Sequence, residues 1–190
     1  TAAAGNGDYG IDFSGYPVLI ENNVVVDNAL GVYIDESSAT ISGNLIGVLP
    51  GGTAAGNFFP GIAVGYASGV AILNNTVANN DFGGIELYEC DDVVIQGNRI
   101  VGNGFGQFFD NDAAGISLFN ASSTLVGTNG DGTADADERN IISGNGLYGV
   151  LVESGRFGGP QGVAADEVID FVQARIAGNY IGVDADGSAL

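Results

Sequence analysis

The stretch GIELYECDDVVIQGNRIVGN, residues 84–103, decides the fold. It holds three short runs in which apolar and polar residues alternate, and the second and third runs each end at an asparagine. Alternation with period two is typical of strands with one buried face, so we expect Ile85 and Leu87 to point inward and Glu86 and Tyr88 outward. Glycine and asparagine between the runs are typical of tight corners. The stretch therefore predicts three short strands joined by corners.

The same pattern recurs along the chain. A glycine followed by alternating apolar residues occurs as GIDF (10–13), GVYI (31–34), GIAV (61–64), GIEL (84–87), GISL (115–118) and GVLV (149–152). The spacings between these glycines are 21, 30, 23, 31 and 34 residues. Repeats of this length are typical of solenoids, in which each repeat buries its apolar side chains against its neighbours. The variable spacing predicts loop insertions near 47–60, 104–114, 127–140 and 153–173. In the last of these insertions the apolar residues have both helix-like and strand-like spacing, so its secondary structure stays open.

Strand, corner, strand, corner, strand and corner make one coil of a parallel β-helix. Parallel crossovers are overwhelmingly right-handed. We therefore predict an all-β, right-handed parallel β-helix of about seven coils, with residues 1–190 forming a single domain or segment. Neither terminus carries an amphipathic helix pattern, so no terminal caps are evident.

Asparagines recur at one phase of the coil, at the end of the second strand. A side-chain amide there can bond both to the asparagine of the next coil and to the backbone, and asparagine tolerates the left-handed region. We predict an internal amide ladder of Asn23, Asn44, Asn75, Asn98 and Asn179. The alternative is that these asparagines only mark solvent-exposed turns.

The stretch 84–103 resembles the right-handed parallel β-helix repeats of the pectate-lyase-like superfamily. The segments NLIGVLPGGTAAGN (44–57) and NYIGVDADGSAL (179–190) resemble a loop common in secreted bacterial and archaeal β-helix proteins. The resemblance implies an extracellular or cell-surface location. It leaves function open, because this fold carries lyases, hydrolases, epimerases and adhesins.

The charge balance restricts the partners of the chain. It has four Lys and Arg residues together, all of them arginine, against 23 acidic residues, for a net charge of −19. Such a surface repels phosphates and polyanionic glycans, so we expect no nucleic-acid partner. No apolar run reaches the length of a membrane span, so no membrane insertion is expected. The single cysteine, Cys90, excludes a disulfide within the chain.

The sequence offers few candidates for catalysis. Asp91 and Asp92 could serve as general acid and base, but adjacent acids after a strand more often end it and face water. The four arginines lie at different phases of the coil and make no basic groove for a uronate polymer. We therefore assign no catalytic residue.

A metal site is the stronger chemical signal. The loop TNGDGTADADE (128–138) spaces oxygen donors at Asn129, Asp131, Asp135 and Asp137, and this resembles loops that wrap Ca²⁺ with hard oxygen ligands. An acidic surface loop without a metal is the alternative, since the first ligand and the twelfth-position Glu of a full EF-hand loop are missing. Calcium is the one cofactor that the sequence predicts.

The two ends of the chain read as halves of one loop. IGVDADGSAL (181–190) followed by TAAAGNGDYGI (1–11) parallels the internal IGVLPGGTAAGNFFPGI (46–62). We therefore expect an extracellular structural or adhesive module that stacks head to tail into a filament, or that continues as part of a longer surface solenoid. Its expected partners are copies of itself or adjoining repeats, with glycans as a further candidate. The alternative is a secreted glycan-active enzyme or carbohydrate-binding β-helix whose caps are missing.

Overall fold

The computed structural model describes residues 5–106, 113–154, 173–184 and 188. The predicted insertion at 153–173 lies almost wholly outside the described residues. So do residues 1–4 and most of 185–190, on which the parallel between the two ends depends. Among the described ranges there is no helix, and hence none of a length and apolarity that could cross a membrane.

Within the described ranges, eighteen strands form three parallel sheets of six strands each. The first sheet contains the strands that begin each repeat: Tyr9–Ser14 (β1), Leu30–Asp35 (β4), Ile62–Gly65 (β7), Ile85–Tyr88 (β10), Ala114–Phe119 (β13) and Tyr148–Glu153 (β16). The second contains Val18–Glu21 (β2), Ala39–Ser42 (β5), Ser68–Leu73 (β8), Asp91–Gln96 (β11), Thr124–Gly127 (β14) and Ala174–Ala177 (β17). The third contains Val24–Val25 (β3), Leu45–Ile46 (β6), Thr76–Ala78 (β9), Arg99–Val101 (β12), Ile141–Ser143 (β15) and Tyr180–Ile181 (β18).

Each sheet pairs every strand with the strand three places further along the chain. In the first sheet Ile62 pairs with Val32 on one side and with Ile85 on the other. The chain therefore visits the three sheets in turn and moves one coil along at each circuit. This confirms the predicted all-β, right-handed parallel β-helix. The predicted count of about seven coils concerns the whole chain, including residues outside the described ranges.

The core runs along the axis of the helix. Ile, Val and Leu from all three sheets stack in rows, and the middle coils bury them completely, as at Ile34, Ile41 and Ile100, which are all 0% exposed. The predicted alternation in β10 is confirmed, because Ile85 and Leu87 are buried while Glu86 and Tyr88 are half-buried on the outer face. Rows of β-branched residues suit strands buried against neighbouring coils.

The corners depend on residues with positive φ. The residue before most ladder asparagines adopts the left-handed region, as Asn74 does at φ 55° and Gly97 at φ 67°. Asparagine tolerates this region, but the described ladder asparagines themselves do not adopt it. The preceding residue makes the bend, which leaves the ladder asparagine free to turn its amide into the core.

The variable repeat length comes from the connections between strands. The two longest described connections without a gap join β6 to β7 through residues 47–61 and β14 to β15 through residues 128–140. The connection between β6 and β7 contains an antiparallel bridge from Val48 to Ala54. These connections project from the corners and leave the three-sheet cross-section unchanged.

Candidate functional site

The structure brings the five predicted asparagines into one ladder. The backbone N–H and the side-chain N–H of each asparagine both donate to Oδ1 of the asparagine in the next coil. Asn44 donates to Asn75 at 2.9 Å from both nitrogens, and Asn75 donates to Asn98 at 2.9 and 3.0 Å. The second side-chain hydrogen donates to a strand carbonyl of the previous coil, as from Asn75 to Ile41 at 2.8 Å. Asn140 was not among the predicted ladder residues, but it lies between Asn98 and Asn179 in the same ladder.

A second asparagine ladder, which the sequence analysis did not predict, lies after the third strand of each coil. It uses the same geometry, with side-chain bonds of 2.8–3.1 Å between successive members, which are Asn6, Asn28, Asn57, Asn80, Asn103 and Asn145. The recurring asparagine after the third run was the available signal. The irregular spacing of the repeats hides it, because no fixed period aligns Asn28, Asn57 and Asn80. The two ladders hold two of the three corners rigidly in register.

Asp91 and Asp92, the two adjacent acids that the sequence offered for catalysis, are both exposed. They begin β11 instead of ending β10, and the carboxylate of Asp91 accepts a hydrogen bond of 2.6 Å from the hydroxyl of Ser122 in the next coil. Hydrogen bonds from Ser122 and then Ser123 lower the pKa of Asp91. Asp91 is thus held ionised as a link between coils, which is opposite to what a proton donor near neutral pH requires.

The loop 127–140 uses its oxygen atoms for its own turns. Asp131 accepts the backbone N–H of Thr133 at 2.7 Å, and Asn129 Oδ1 accepts the backbone N–H of Asp131 at 2.8 Å. Asp135 accepts the hydroxyl of Thr128 at 2.8 Å. Within the described part of the chain no group of three or more Asp, Glu, Cys or His side chains is placed to hold a metal ion. Calcium binding by Asn129, Asp131, Asp135 and Asp137 stays a prediction.

Aromatic and acidic side chains cover the outer face of the first sheet. Tyr88 stacks on Phe119 with ring centroids 5.3 Å apart and meets Tyr66 edge-on at 5.2 Å. Tyr9 stacks on Tyr33 at 5.4 Å. Hydrogen bonding with Tyr66, followed by burial and the charge of Glu89, raises the pKa of Tyr88 to about 12.

The outer face of the third sheet carries a groove of about 490 Å³. Hydroxyl, amide and guanidinium groups line it at Thr76, Asn79, Arg99 and Ser143, together with Val101. Arg99 is half-buried and forms an ion pair of 3.2 Å with Asp184. The groove therefore offers donors and acceptors along the outside of three consecutive coils.

Two solved structures share the fold. The chain superposes on the periplasmic alginate epimerase AlgG with a TM-score of 0.55 and 18% identity, over 88% of this chain and 40% of the epimerase chain. A variant of AlgG with one threonine replaced by asparagine gives a TM-score of 0.51 and 17% identity over the same shares. At this identity the likeness concerns the fold alone, and the chain spans 40% of the length of these structures.

Sequence comparison identifies a family. No curated protein matches the chain. The family model described as periplasmic copper-binding protein (NosD) matches residues 1–121, well over half of the 190 residues. The fold agrees with this match, because the matched residues contain the first four coils and the first strand of the fifth. The chain therefore belongs to the NosD family of parallel β-helix proteins.

Proposed function

We propose that the chain is a structural module of a secreted or periplasmic protein, and that a further coil stacks on its last described coil. The family's description as periplasmic supports a location outside the cytoplasm. An extracellular or cell-surface position, and an adhesive role, are part of the proposal.

Exposed core positions in the last described coil carry this proposal. Val152, Ile176 and Ile181 pair with Leu118, Val126 and Ile142, which are all 0% exposed. The three residues of the last coil are instead 41%, 41% and 50% exposed. Apolar side chains at inward positions are stabilised when another coil covers them, at about 25 cal/mol for each Å² removed from water.

The backbone of the last described coil also has an edge that another strand could cover. Within the described ranges, β16, β17 and β18 each pair with a strand on one side only. An unpaired strand edge is a template for another strand. At the opposite end β1, β2 and β3 present the complementary edges of the same three sheets. A second copy, or an adjoining repeat, can therefore continue all three ladders in a head-to-tail arrangement.

Stacking of copies can be tested by light scattering and electron microscopy. We expect the purified protein to form rods whose mass grows with concentration. Ile176→Asp and Ile181→Asp place charges on the exposed core positions, so they should give monomers that keep the β-sheet circular dichroism. Leu49→Asp is the matched control, because Leu49 is 38% exposed in the connection after β6, outside the first and last described coils, and should not affect assembly. A wild-type protein that stays monomeric at all concentrations would contradict stacking of copies.

Glycan binding or turnover is the second candidate function. The groove beside Arg99 supports it, because hydroxyl and amide groups on a rigid sheet suit the hydroxyls of a neutral oligosaccharide. The net charge of −19 disfavours a polyuronate. Retention on a panel of immobilised neutral glycans, lost on Arg99→Ala, would support this function. No retention and no turnover on that panel would exclude it.

Copper does not fit the residues of this chain. Copper sites use imidazole, thiolate and thioether ligands, and the chain has no His, no Met and one Cys. Cys90 is 2% exposed, and its thiol donates to the carbonyls of Val64 and Tyr88 at 3.3 Å. Burial raises the pKa of this thiol, which favours the protonated form over the thiolate that a metal would need. We therefore propose no copper-dependent step for these residues.

A further inference from the structure

The chain contains four Asn–Gly pairs, and one of them differs from the others in its surroundings. In such a pair the backbone nitrogen of the glycine can reach the side-chain carbon of the asparagine easily, because glycine has no Cβ to obstruct the approach. The pairs are Asn6–Gly7, Asn103–Gly104, Asn129–Gly130 and Asn145–Gly146. Three of them begin with a member of the second ladder, whereas Asn129 lies in the loop 127–140.

The ladder protects its asparagines from this reaction. Asn103 is 0% exposed, and its side-chain nitrogen donates to the carbonyl of Val77 and to Oδ1 of Asn145, both at 3.0 Å. The backbone N–H of Gly104 donates to the carbonyl of Asn80 at 2.8 Å. A backbone hydrogen that is bonded inside the core is protected from exchange with solvent. In the ladder, therefore, both the attacking nitrogen and the amide that would leave are held in place.

The nitrogen of Gly130 has contacts that favour loss of its proton. Gly130 is exposed, and its backbone N–H donates to the hydroxyl of Thr128 at 3.0 Å. The Thr128 hydroxyl gives its own hydrogen to Asp135 at 2.8 Å, so an oxygen lone pair faces the Gly130 N–H. Arg175 donates to the backbone carbonyl of Asn129 at 2.6 Å. This charged contact draws electron density from the peptide unit between Asn129 and Gly130, which makes the N–H more acidic.

The side chain of Asn129 is held in position for attack. Its Oδ1 accepts the backbone N–H of Asp131 at 2.8 Å, and this turn folds Cγ back beside the peptide unit that follows Asn129. The same N–H stabilises the negative charge that develops on Oδ1 when a nucleophile adds to Cγ. The side-chain nitrogen, which is the leaving group, donates to Asp131 Oδ2 at 3.2 Å. Because Asn129 is half-buried and Gly130 exposed, water reaches both residues.

We propose that Asn129–Gly130 is a self-modifying site, at which the folded loop converts asparagine to aspartate and isoaspartate. The deprotonated nitrogen of Gly130 bonds to Cγ of Asn129, and the bond from Cγ to Nδ2 breaks. Ammonia leaves with a proton returned by the solvent, and a succinimide ring remains. Water then opens the ring. Cleavage between the nitrogen and Cγ gives aspartate, and cleavage between the nitrogen and the backbone carbonyl carbon gives isoaspartate.

Either product changes the loop 127–140. Aspartate replaces a neutral amide by a carboxylate at one of the residues predicted to bind Ca²⁺. Isoaspartate lengthens the main chain within the turn that Asn129 forms with Asp131. The proposal rests on hydrogen bonds within this loop and from Arg175, so it does not depend on stacking of copies or on glycan binding.

Peptide mapping of the native protein during incubation at neutral pH tests the proposal. Mass spectrometry follows each Asn–Gly pair, and electron-transfer fragmentation separates aspartate from isoaspartate. We expect conversion at Asn129 to be at least about tenfold faster than at the buried Asn103. In urea the four pairs should convert at similar rates, because the contacts of the ladder and the loop are then lost. Equal rates at Asn129 and at the exposed Asn6 in the native protein, or the same preference for Asn129 in urea, would overturn the proposal.

Two variants remove the contacts that activate the Gly130 nitrogen. Thr128→Val keeps the shape of the side chain but removes the hydroxyl, and it should slow conversion of Asn129 about fivefold. Arg175→Gln removes the charged donor and should slow it about tenfold. Thr133→Val is the matched control in the same loop, because Thr133 donates to Asp131 through its backbone N–H, which the variant keeps. We expect this control to change the rate by less than about twofold.

A loosened loop has the opposite effect from a lost activating contact. If Thr128→Val or Arg175→Gln converts as fast as the wild type or faster, mobility of the loop controls the reaction and the proposal fails. Circular dichroism and the unfolding midpoint check that the coils of both variants are intact. Asn129→Gln supplies the blank for released ammonia, because its longer side chain would have to close a larger ring. Ammonia release at the wild-type rate in Asn129→Gln would also contradict the assignment to Asn129.

Discussion

Each ladder asparagine in the middle coils satisfies several buried groups with one short side chain. Asn75 accepts from two N–H groups of Asn44, donates to Asn98, and donates to the carbonyl of Ile41. No other residue type offers an acceptor and two donors at this length. Aspartate would lose the donors, and serine could not reach both coils. The repeated asparagine therefore follows from the hydrogen bonding of the corner.

Replacement of a central ladder asparagine should be costly. Asn75→Ala leaves two donors of Asn44 and the carbonyl of Ile41 without partners in a fully buried corner. Each unsatisfied buried group costs about 1–3 kcal/mol, so we expect the free energy of unfolding to fall by about 3 kcal/mol or more. Urea denaturation followed by circular dichroism measures this change.

Asn23→Ala is the matched control for this prediction. Asn23 is the first described member of the ladder and is exposed, and its backbone N–H keeps the bond to Asn44 in the variant. We expect a loss of about 1 kcal/mol or less. Equal losses in the two variants would mean that the ladder contributes little beyond ordinary corner geometry.

Sequence reasoning works well for residues whose role depends on local pattern. Inward Ile85 and Leu87 follow from alternation alone, and the first ladder follows from asparagine at one phase of the coil. Asn140 was missed because a long connection separates it from β14. The groove beside Arg99 could not be predicted, because it depends on which outward residues of coils of unequal length become neighbours.

At the scale of elements, side-chain links tie successive coils outside the core. The carboxylate of Asp91, at the start of β11, accepts the hydroxyl of Ser122, which precedes β14. Because this bond lowers the pKa of Asp91, it contributes stability above the ordinary pKa, near 3.8, and the contribution is lost as the pH falls through the lower folded-state pKa. The link should therefore support acid resistance.

Ser122→Ala should raise the pKa of Asp91 toward its ordinary value. Acid unfolding of the variant should then begin at a higher pH than in the wild type. Carboxyl NMR titration of Asp91 measures the pKa directly. Ser68→Ala is the control, because Ser68 pairs with Asp91 in the backbone register of the preceding coil without a side-chain bond to its carboxylate in the structure. An unchanged pKa in Ser122→Ala would assign the shift to other groups.

Calcium binding remains a prediction for the loop 127–140. If Asn129, Asp131, Asp135 and Asp137 bind Ca²⁺, the ion must replace hydrogen bonds such as that from the Thr133 N–H to Asp131. We then expect a saturable rise of the unfolding midpoint with Ca²⁺, a smaller rise with Mg²⁺, and loss of both in Asp131→Asn. The same rise in Asp131→Asn and in the wild type would assign the effect to general screening.

The sequence predicts the strands well and the connections between them poorly, and one physical difference explains both outcomes. Strands with strict alternation, such as β10, lie where the pattern places them, because their inward faces must join a common core. The connections follow no such constraint, since they face solvent and vary in length between coils. The internal turns of residues 128–138, made by Asn129 and Asp131, therefore required the structure.

Few positive charges in the molecule compensate its many negative charges. The net charge is −19, and the described residues contain one ion pair, between Arg99 and Asp184. Acids in the described strands are not register neighbours of one another, as Asp35 shows by pairing with Ser14 and Gly65. Coils nevertheless lie only about 4.8 Å apart, so acids that are a few coils apart still repel each other. Core rows and asparagine ladders must offset this repulsion.

Salt should therefore stabilise the molecule. The Debye length falls from about 10 Å at 0.1 M to about 3 Å at 1 M, which screens repulsion between acids on neighbouring coils. We expect the unfolding midpoint to rise by several degrees between these concentrations, with the same rise in NaCl and KCl. A protein stabilised mainly by surface ion pairs would lose stability instead. If the rise followed the identity of the salt and not its ionic strength, exclusion of the salt from the protein surface would be the cause. Glu153→Gln supplies an internal check, because removing one acid from the outer face of the first sheet should raise the midpoint at 0.1 M and have less effect at 1 M.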